Sequence, residues 1–589
     1  MRKIMAVAVG LLVALGLAVS ATPAPAAPKP VTLTVLATTD THGNVFNWDY
    51  FRNQPYSDRA GHAIGLARAG SIINDIRAQR GADSVVVVDN GDTLQGTPLD
   101  YYFAKVAPFT SGGTHPMAAA FNAIGYDATN IGNHEFNYGT DLLAAYEAQL
   151  DAPVLGANVV DAQTGEPVHT PYTLVKKHVR GSKPITVGIL GLTTPGSMIW
   201  DKANLEGKVE INDMVEAAQQ WVPRVRAAGA DVVVVLSHAG IGQSSYDVAG
   251  LGAENPTDRI AAQVPGIDAI VMGHTHQDNP QRFITNETTG KQVLVTQPRY
   301  WASSVSDMTF DLALVKGQWT VRAAAAVAHY SKDAADDAAV VDAVTPMHEA
   351  TVSYVNQTVA TSTQELSAAT SRWQDTAILD YIQMVQTQTV AKGLAGTEYA
   401  DLPVLSIAAP FSRTAVFPAG DVTVRDIAGL YIYDNTLQAV VMDAAQVKAY
   451  LEYSAKYFGQ VPAGGTFDPE TMTSVVHDGL QVWDYNYDII AGMNYQIDLA
   501  QPVGSRIVNM THDDGTPVTA DEKFVVAVNN YRRSGGGNFP HISTAPVVYD
   551  QNLEIRQLLI DWASANGTID PADFHVKNWE LVVNGAPVA

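Results

Sequence analysis

Cysteine is absent from this chain of 589 residues, and charged side chains make up only 16% of it. Without cysteine the fold can contain neither a disulfide nor a lipid anchor attached to an N-terminal cysteine. Lys and Arg together number 36 against 60 for Asp and Glu, which gives a formal net charge of −24. A nucleic-acid polymer requires a basic binding surface, so this balance argues against such a partner and leaves small anionic ligands open.

Long apolar runs are scarce, and the longest lies at the N-terminus. Two basic residues at 2–3 precede an apolar run at 4–19, and an Ala-Pro-Ala sequence follows at 24–26. This order predicts a cleaved signal peptide over residues 1–27 and a secreted, periplasmic or cell-envelope protein without stable membrane insertion. The alternative is a membrane anchor, but the run is short and its Pro-rich flank favours cleavage.

The chain is too long for one compact domain, and its first half alternates strand-like and helix-like patterns. Strands are predicted at 31–37, 85–88, 127–131, 185–190, 232–236 and 269–272, with helices at 63–79, 116–124, 212–228 and 258–263. This alternation is typical of a layered α/β domain. Two later apolar runs, at 292–296 and 305–314, are predicted to pair antiparallel.

Polar residues follow five of these predicted strands at the point where each strand ends. They are Asp40, His42, Asp92, Asn133, His134, His238, His274 and His276. Each alone has an ordinary explanation, since a single histidine after a strand is often only hydrogen-bonded. The carboxyl ends of strands are where open α/β sheets place their sites, so five such placements predict one shared site.

The chemistry of this set favours metal ions. Two divalent ions about 3.5–4 Å apart need a bridging ligand, and a carboxylate such as Asp92 is the usual one. Imidazole, carboxylate and amide ligands without thiolate suit Zn, Mn, Co or Fe. The sequence therefore predicts two divalent ions that bind a phosphate oxygen and activate water.

Five motifs occur in a fixed order, namely Asp-x-His at 40–42, Gly-Asp at 91–92, Gly-Asn-His-Glu at 132–135, Ser-His at 237–238 and Gly-His-Thr-His at 273–276. In this order they resemble the metallophosphoesterase superfamily, and more narrowly the secreted 5′-nucleotidase/2′,3′-cyclic phosphodiesterase family. The resemblance implies an N-terminal four-layered α/β-sandwich dimetal phosphoesterase domain at 28–332 and a C-terminal α+β substrate-binding domain at 357–589. An Ala-rich helix at 333–356 would link them, although the pattern fits an ordinary surface helix equally well.

The resemblance also implies a role for each candidate. One ion would be bound by Asp40, His42, Asp92 and His276, and the other by Asp92, Asn133, His238 and His274. Asn133 would thus be both ligand and part of the catalytic centre. His134 would stay off the metals and either stabilise the phosphoryl charge or protonate the leaving oxygen.

In the second half, the resemblance implies a nucleotide site. Arg372 and Arg413 would contact phosphate, for which the arginine fork is well suited. Tyr433 and Tyr531 would clamp the nucleobase between two rings, and Asn435 would contact its edge. The ordinary alternatives are solvated surface arginines and core aromatics. The expected partner is a small-molecule nucleotide, and the chain is expected to act as a monomer.

Finer motifs resemble the branch of bifunctional 2′,3′-cyclic-nucleotide 2′-phosphodiesterase/3′-nucleotidases. The 5′-nucleotidase branch has an aspartate three residues after the catalytic histidine, where this chain has Asn137, and an aspartate in the Gly run, where it has Gly537. The expected reaction converts 2′,3′-cyclic nucleotides to 3′-nucleotides and then to nucleoside and phosphate. The alternatives are a 5′-nucleotidase with broad specificity and a non-catalytic extracellular nucleotide-binding protein.

Overall fold

The computed structural model describes residues 31–588 except positions 59, 180 and 247. The signal peptide predicted at residues 1–27 therefore lies outside the described residues. An N-terminal part runs as far as the helix Ala338–Val355, and a C-terminal part begins with the strand Thr358–Ser362. Among the helices of the described range, none combines the length and apolarity required to cross a membrane.

The first sheet of the N-terminal part has six strands. In spatial order they are Gln318–Tyr330, Ser304–Val315, Val31–Thr38, Val85–Asp89, Ala128–Asn130 and Val154–Leu155. The last four run parallel, and Ser304–Val315 is antiparallel to both of its neighbours. The carboxyl ends of three strands that precede candidate ligands therefore lie along one edge.

The second sheet also has six strands. In spatial order they are Asp278–Thr285, Gln292–Pro298, Ala269–Met272, Val232–His238, Ile185–Thr193 and Tyr172–Lys177. The four central strands are parallel and both edge strands are antiparallel. The antiparallel prediction for 292–296 was wrong on one side, because Gln292–Pro298 is parallel to Ala269–Met272 and antiparallel only to the edge strand.

The two sheets face each other across a shared apolar core, and helices cover their outer faces. Alternation along Val31–Thr38 shows this directly, since Val35 lies in the core between the sheets and Leu36 lies under the helices. The helices Leu66–Arg80 and Pro116–Ile124 cover the first sheet, and Met214–Ala227 and Thr257–Gln263 cover the second. This is the expected four-layered α/β sandwich, and that expectation is confirmed.

The helix predicted as a linker packs against the first sheet's helices. It begins at Ala338, five residues after the predicted start at 333, because the Asp337 side chain accepts hydrogen bonds from the backbone N–H groups of Ala339 and Val340. Val340 and Val344 are fully buried in the core beneath Pro116–Ile124. The segment therefore leads to the C-terminal part while belonging, by packing, to the N-terminal one.

The C-terminal part has the α+β architecture that was expected. Its main sheet contains, in order, Ile489–Ala491, Val404–Ala408, Lys523–Asn529, Thr436–Asp443 and Val547–Glu554. The helices Ala377–Leu394, Ala444–Ser454 and Ile555–Asn566 pack on this sheet around a single large core. A smaller sheet contains Ile507–Thr511, Asn494–Asp498, Trp579–Val583 and Ala586–Pro587.

Polar contacts join the two parts close to the Gly-Asn-His-Glu motif. The Tyr138 hydroxyl donates to Asp434 Oδ2 at 2.9 Å, and Asp434 Oδ1 pairs with Arg556 at 2.5 Å. Asn538 Nδ2 donates to the Ser245 carbonyl at 2.6 Å. The C-terminal part therefore faces the edge at which the candidate ligands are displayed.

Candidate functional site

Unusual backbone conformations mark the loops that follow the strands. Asp40, His42, Asp92, His274 and His276 all have φ between 45° and 67°. Side chains with a Cβ adopt this left-handed conformation at a cost of order 1–3 kcal/mol each, so it persists only where the surroundings fix it. Five such residues among the predicted ligands indicate a functional site in which positioning outweighs local strain.

The first cluster contains Asp40, His42 and His276. One ligand atom from each of the three side chains lies within 4.8 Å of the other two. His276 Nε2 is 3.1 Å from His42 Nε2 and 3.4 Å from Asp40 Oδ1. Two ring nitrogens at this distance can share at most one proton, so the arrangement fits a cation between them.

The second cluster contains Asp92, His238 and His274, and Asn133 adjoins it. His238 Nε2 lies 3.0 Å from Asp92 Oδ2, and Asn133 Oδ1 lies 2.9 Å from His274 Nδ1. Asp92 Oδ2 also lies 3.8 Å from His42 Nε2, so this carboxylate faces both clusters. The structure therefore brings all seven predicted ligands together, with Asp92 in the middle.

The electrostatics of the clusters favour a bound cation. Burial lowers the pKa of His42 to about 4, which keeps its imidazole in the neutral form that binds metals. Burial opposes a charge on His238 as well, but the carboxylates of Asp92 and Asp40 outweigh it and raise its pKa to about 10. The protein alone thus compensates these buried carboxylates with a proton, a role that a metal ion can take over.

His134 lies beside the clusters rather than within them. Its ring centroid is 5.1 Å from that of His42, and its backbone N–H donates to Asp92 Oδ1 at 2.8 Å. His134 Nδ1 and Asn137 Oδ1 are 2.6 Å apart, and Asn137 Nδ2 donates to Asp201 Oδ2 at 2.9 Å. Burial raises the pKa of Asp201 to about 6. An acidic group, Asp201, is therefore present, but it reaches His134 only through the Asn137 side chain.

The predicted nucleobase residues lie together at the C-terminal part. Tyr433 and Tyr485 have ring centroids 6.4 Å apart, and the hydroxyls of both interact electrostatically with that of Tyr531. Tyr485 was not predicted, and its side chain is partly exposed. Asn435 Nδ2 donates weakly to the Tyr431 hydroxyl at 3.4 Å. Three tyrosines rather than two are thus available to a planar ligand.

The Gly run beside Tyr531 has a packing reason. A Cβ on Gly536 would lie 2.5 Å from the Tyr531 ring, and one on Gly537 would lie 2.4 Å from Arg532 Nη1. Arg532 is buried and pairs with Asp488 at 2.7 Å. Glycine at 537 therefore leaves room for the buried Arg532–Asp488 ion pair, whether or not a ligand also approaches there.

The two predicted phosphate arginines are held by protein groups. Arg413 forms a two-pronged pair with Asp484, with one N···O distance of 2.8 Å. Arg372 Nη1 donates to the Thr473 hydroxyl at 2.8 Å and its Nη2 to Glu470 at 3.3 Å. Both arginines line one open cleft of about 320 Å³. Within the described range, neither forms a hydrogen bond or ion pair with a residue of the metal clusters.

Comparison with known proteins agrees with this geometry. Residues 33–278 match the calcineurin-like phosphoesterase family, and residues 357–544 match the 5′-nucleotidase C-terminal domain. A 2′,3′-cyclic-nucleotide 2′-phosphodiesterase/3′-nucleotidase from Haemophilus influenzae is 35% identical, over 94% of this chain and 88% of its own length. The chain belongs to the 5′-nucleotidase/metallophosphoesterase family. It is a hydrolase of the metallophosphoesterase class, and the resemblance seen in its motifs is confirmed.

A second relative and a solved structure are also similar to this chain. The trifunctional nucleotide phosphoesterase protein YfkN of Bacillus subtilis is 33% identical over 96% of this chain, but the match spans only 39% of that protein's length. The crystal structure of a Staphylococcus aureus protein described as a 5′-nucleotidase has a TM-score of 0.74 and 25% identity, and it covers 94% of this chain and 100% of that one. Calcineurin-like phosphoesterases use a dimetal centre, and this member has two clusters able to form one.

Three supporting residues of this family member were missed in the sequence. The Gln95 and Asn90 carbonyls each lie 2.6 Å from the Nδ1 atom of a cluster histidine, namely His42 and His238. Donation to these carbonyls leaves Nε2 of each ring free to face the cluster. Glu254 Oε1 lies 2.9 Å from His274 Nε2, so that ring presents Nδ1 instead.

Glu135 explains the last letter of the Gly-Asn-His-Glu motif. Its buried carboxylate accepts hydrogen bonds from the backbone N–H groups of Asp92 at 2.9 Å, Thr93 at 2.5 Å and Gly132 at 2.5 Å. It therefore ties the loop carrying the central carboxylate to the loop carrying Asn133. No contact with a substrate is needed to account for it.

Glu254→Gln is expected to weaken metal affinity by roughly 10–100-fold, because a neutral amide supports the His274 ring less than a carboxylate does. Titration of EDTA-stripped protein with Zn²⁺ measures this affinity. Glu287→Gln, which changes an exposed glutamate elsewhere in the N-terminal part, is the matched control. Equal affinity for both variants and the wild type would show that Glu254 does not orient the ring.

Proposed function

We propose that the chain hydrolyses 2′,3′-cyclic nucleotides to 3′-nucleotides, and then hydrolyses these to nucleoside and phosphate. The observation that carries this proposal is the pair of ligand clusters on either side of Asp92. Three relatives that are 34–35% identical over most of their own length bear the name of this double activity. Asn137, in place of the aspartate of the 5′-nucleotidase branch, supports the same choice.

Two divalent ions complete the proposed site. Asp40, His42 and His276 would bind one, and Asn133, His238 and His274 the other, with Asp92 between them. Nitrogen and oxygen ligands without thiolate favour Zn, Mn, Co or Fe. When bound, such ions polarise phosphoryl oxygens and supply hydroxide at neutral pH.

His134 is the proposed acid for both steps. In the first step water adds to phosphorus, the P–O2′ bond breaks, and the departing O2′ takes a proton. In the second step another water breaks the P–O3′ bond, and O3′ takes the proton. A histidine beside the clusters, with its Nδ1 fixed by Asn137, presents Nε2 for this transfer.

The proposed division of labour follows the two parts of the chain. Residues 28–332 would perform the chemistry, residues 357–589 would hold the nucleotide, and residues 333–356 would connect them. Tyr433 and Tyr531 would clamp the base, with Asn435 at its edge. Stacking of a base on an aromatic ring contributes about 1–3 kcal/mol and tolerates any base.

Arg372 and Arg413, which also belong to the C-terminal part, are proposed to contact the phosphate of the nucleotide. Each would have to exchange a present partner, Glu470 or Asp484, for a phosphate oxygen. Arginine pairs with carboxylate and phosphate through the same two-pronged geometry, so this exchange needs little rearrangement of the guanidinium group. The open cleft that both line gives a small anion access to them.

The proposed setting is outside the cytoplasm, as a monomer acting on small-molecule nucleotides. This setting rests on the N-terminal pattern at residues 1–27.

Product analysis tests the proposed function. Metal-reconstituted protein is expected to consume 2′,3′-cyclic AMP and 3′-AMP, with 3′-AMP accumulating transiently before adenosine and phosphate appear. Asp92→Asn serves as the matched inactive control. Turnover of 5′-AMP alone would instead identify a 5′-nucleotidase, and nucleotide binding without bound metal or turnover would identify a non-catalytic binding protein.

A further inference from the structure

A third group of potential metal ligands lies in the C-terminal part, apart from the two clusters. It consists of Asp375, Asp380 and His575, whose ligand atoms lie within 4.8 Å of one another. Asp375 precedes the helix Ala377–Leu394, Asp380 lies in its first turn, and His575 precedes the strand Trp579–Val583. The group therefore joins the beginning of one long helix to a segment almost 200 residues later.

Each member is held in place by specific contacts. Asp375 Oδ2 accepts hydrogen bonds from the backbone N–H groups of Asn578 at 2.8 Å and Trp579 at 3.3 Å. His575 Nδ1 lies 2.6 Å from Asp380 Oδ2. These contacts orient both carboxylates toward the same point and bring one imidazole to it. The group is thus positioned by the fold rather than gathered by chance on a mobile surface.

The remaining carboxylate oxygens are unsatisfied. Asp380 is 4% exposed, and the Oδ1 atoms of Asp375 and Asp380 are both buried without a hydrogen-bond partner. Buried acceptors normally have partners, and two carboxylates facing each other repel. A cation or a shared proton between the two carboxyl groups would satisfy these oxygens.

We propose that Asp375, Asp380 and His575 form a binding site for one divalent transition-metal ion of the zinc class. Two carboxylate oxygens and one imidazole nitrogen are ligands that such an ion accepts, and tetrahedral sites with three protein ligands keep a fourth position for water. The His575 side chain is 34% exposed, so water can reach that position. Lone-pair donors from two segments that are distant in the sequence converge here.

The proposed ion has a structural consequence. It would fasten the segment before Trp579–Val583 to the first turn of Ala377–Leu394, which packs against the main C-terminal sheet. An ion that binds only the folded chain stabilises it by mass action. This site is independent of the proposed phosphoesterase activity, since its ligands belong to neither cluster near Asp92.

The alternative occupant of the gap is a proton shared by the two carboxyl groups. A shared proton links Asp375 to Asp380 but leaves His575 unnecessary, whereas a metal ion uses all three residues. Replacement of the histidine therefore distinguishes the two. His512, which pairs with Glu522 at 3.2 Å elsewhere in the C-terminal part, offers a matched control for losing a carboxylate-paired histidine.

The experiment measures Zn²⁺ bound per folded chain in the full-length protein, together with anomalous scattering at the zinc edge in crystals. The wild type and His512→Ala are expected to show an anomalous peak between the three side chains. His575→Ala and Asp380→Asn are expected to lose that peak and about one ion per chain, and to melt at lower temperature than the wild type only when Zn²⁺ is present. Asp92→Asn should keep this peak.

Two results would overturn the proposal. One is a wild-type crystal, grown with Zn²⁺, that shows peaks at the clusters near Asp92 and none at His575. The other is unchanged zinc content in both His575→Ala and Asp380→Asn. Should His575→Ala fold poorly, Asp380→Asn, which keeps the shape of the side chain, still decides the question through its zinc content. Failure of the nucleotide assay would leave all these readouts unaffected.

Discussion

Asp92→Asn will lose at least one bound metal ion per chain, and its turnover will fall by roughly 10³-fold or more. The Asp92 carboxylate faces both clusters, at 3.0 Å from His238 Nε2 and 3.8 Å from His42 Nε2. Metal activation contributes several kcal/mol to phosphoryl-ester cleavage. A neutral amide cannot hold two cations together, so the activated water and the phosphate lose their common support.

Asparagine is the cleanest replacement at this position. Asp92 has φ 59°, a conformation that asparagine tolerates better than alanine, and an amide oxygen can still accept from the His134 backbone N–H. Metal content and turnover are measured on the same preparation, with the exposed Asp311→Asn on the first sheet as control. Full metal content with wild-type turnover in Asp92→Asn would remove Asp92 from the centre of the site.

The convergence of the candidate ligands could be predicted because it depends on a simple topological rule. Parallel strands deliver their following residues to one edge, so strand ends at Asp40, Asp92, Asn133, His238 and His274 were expected to converge. The hydrophobic pattern of a strand indicates that both of its faces are buried, but it does not indicate which strand lies next to it in the sheet. The division of these strands between two facing sheets therefore followed only from the resemblance, and the parallel pairing of Gln292–Pro298 was missed.

The supporting acids could not be predicted, because they follow no strand and carry no motif. Glu254 lies in a long loop after the strand Val232–His238, and Asp201 lies between two short helices. Each becomes meaningful only through one hydrogen bond, to His274 or to Asn137. Side-chain partners of this kind are set by tertiary packing, which a local pattern does not contain.

The two predicted phosphate arginines show what a family resemblance leaves out. A resemblance identifies Arg372 and Arg413 as phosphate contacts, but it cannot tell what these side chains do without phosphate. The structure pairs them with Glu470 and Asp484 across an open cleft. Their role in binding phosphate stays a prediction, and it now includes the displacement of two carboxylates.

His134→Ala is expected to keep its full metal content while turnover falls by about 10²–10⁴-fold, the range for loss of a general acid. The side chain lies outside both clusters, so no metal ligand is removed. Metal analysis and single-turnover assays on 2′,3′-cyclic AMP measure the two quantities separately. His512→Ala controls for the loss of a histidine, and loss of metal from His134→Ala would show that this residue had been given the wrong role.

A double-mutant cycle then decides how Asp201 acts. If Asp201 works only by holding Asn137 and thereby the His134 ring, Asp201→Asn slows turnover in the wild type but has no further effect once His134 is alanine. Additive losses would mean instead that Asp201 acts on the substrate or the metals directly. The contact from Asn137 Nδ2 to Asp201 Oδ2 at 2.9 Å favours the first outcome. In that case this chain has an acidic group, Asp201, beyond Asn137, so a neutral amide orients the imidazole and the carboxylate lies one side chain farther from the phosphate.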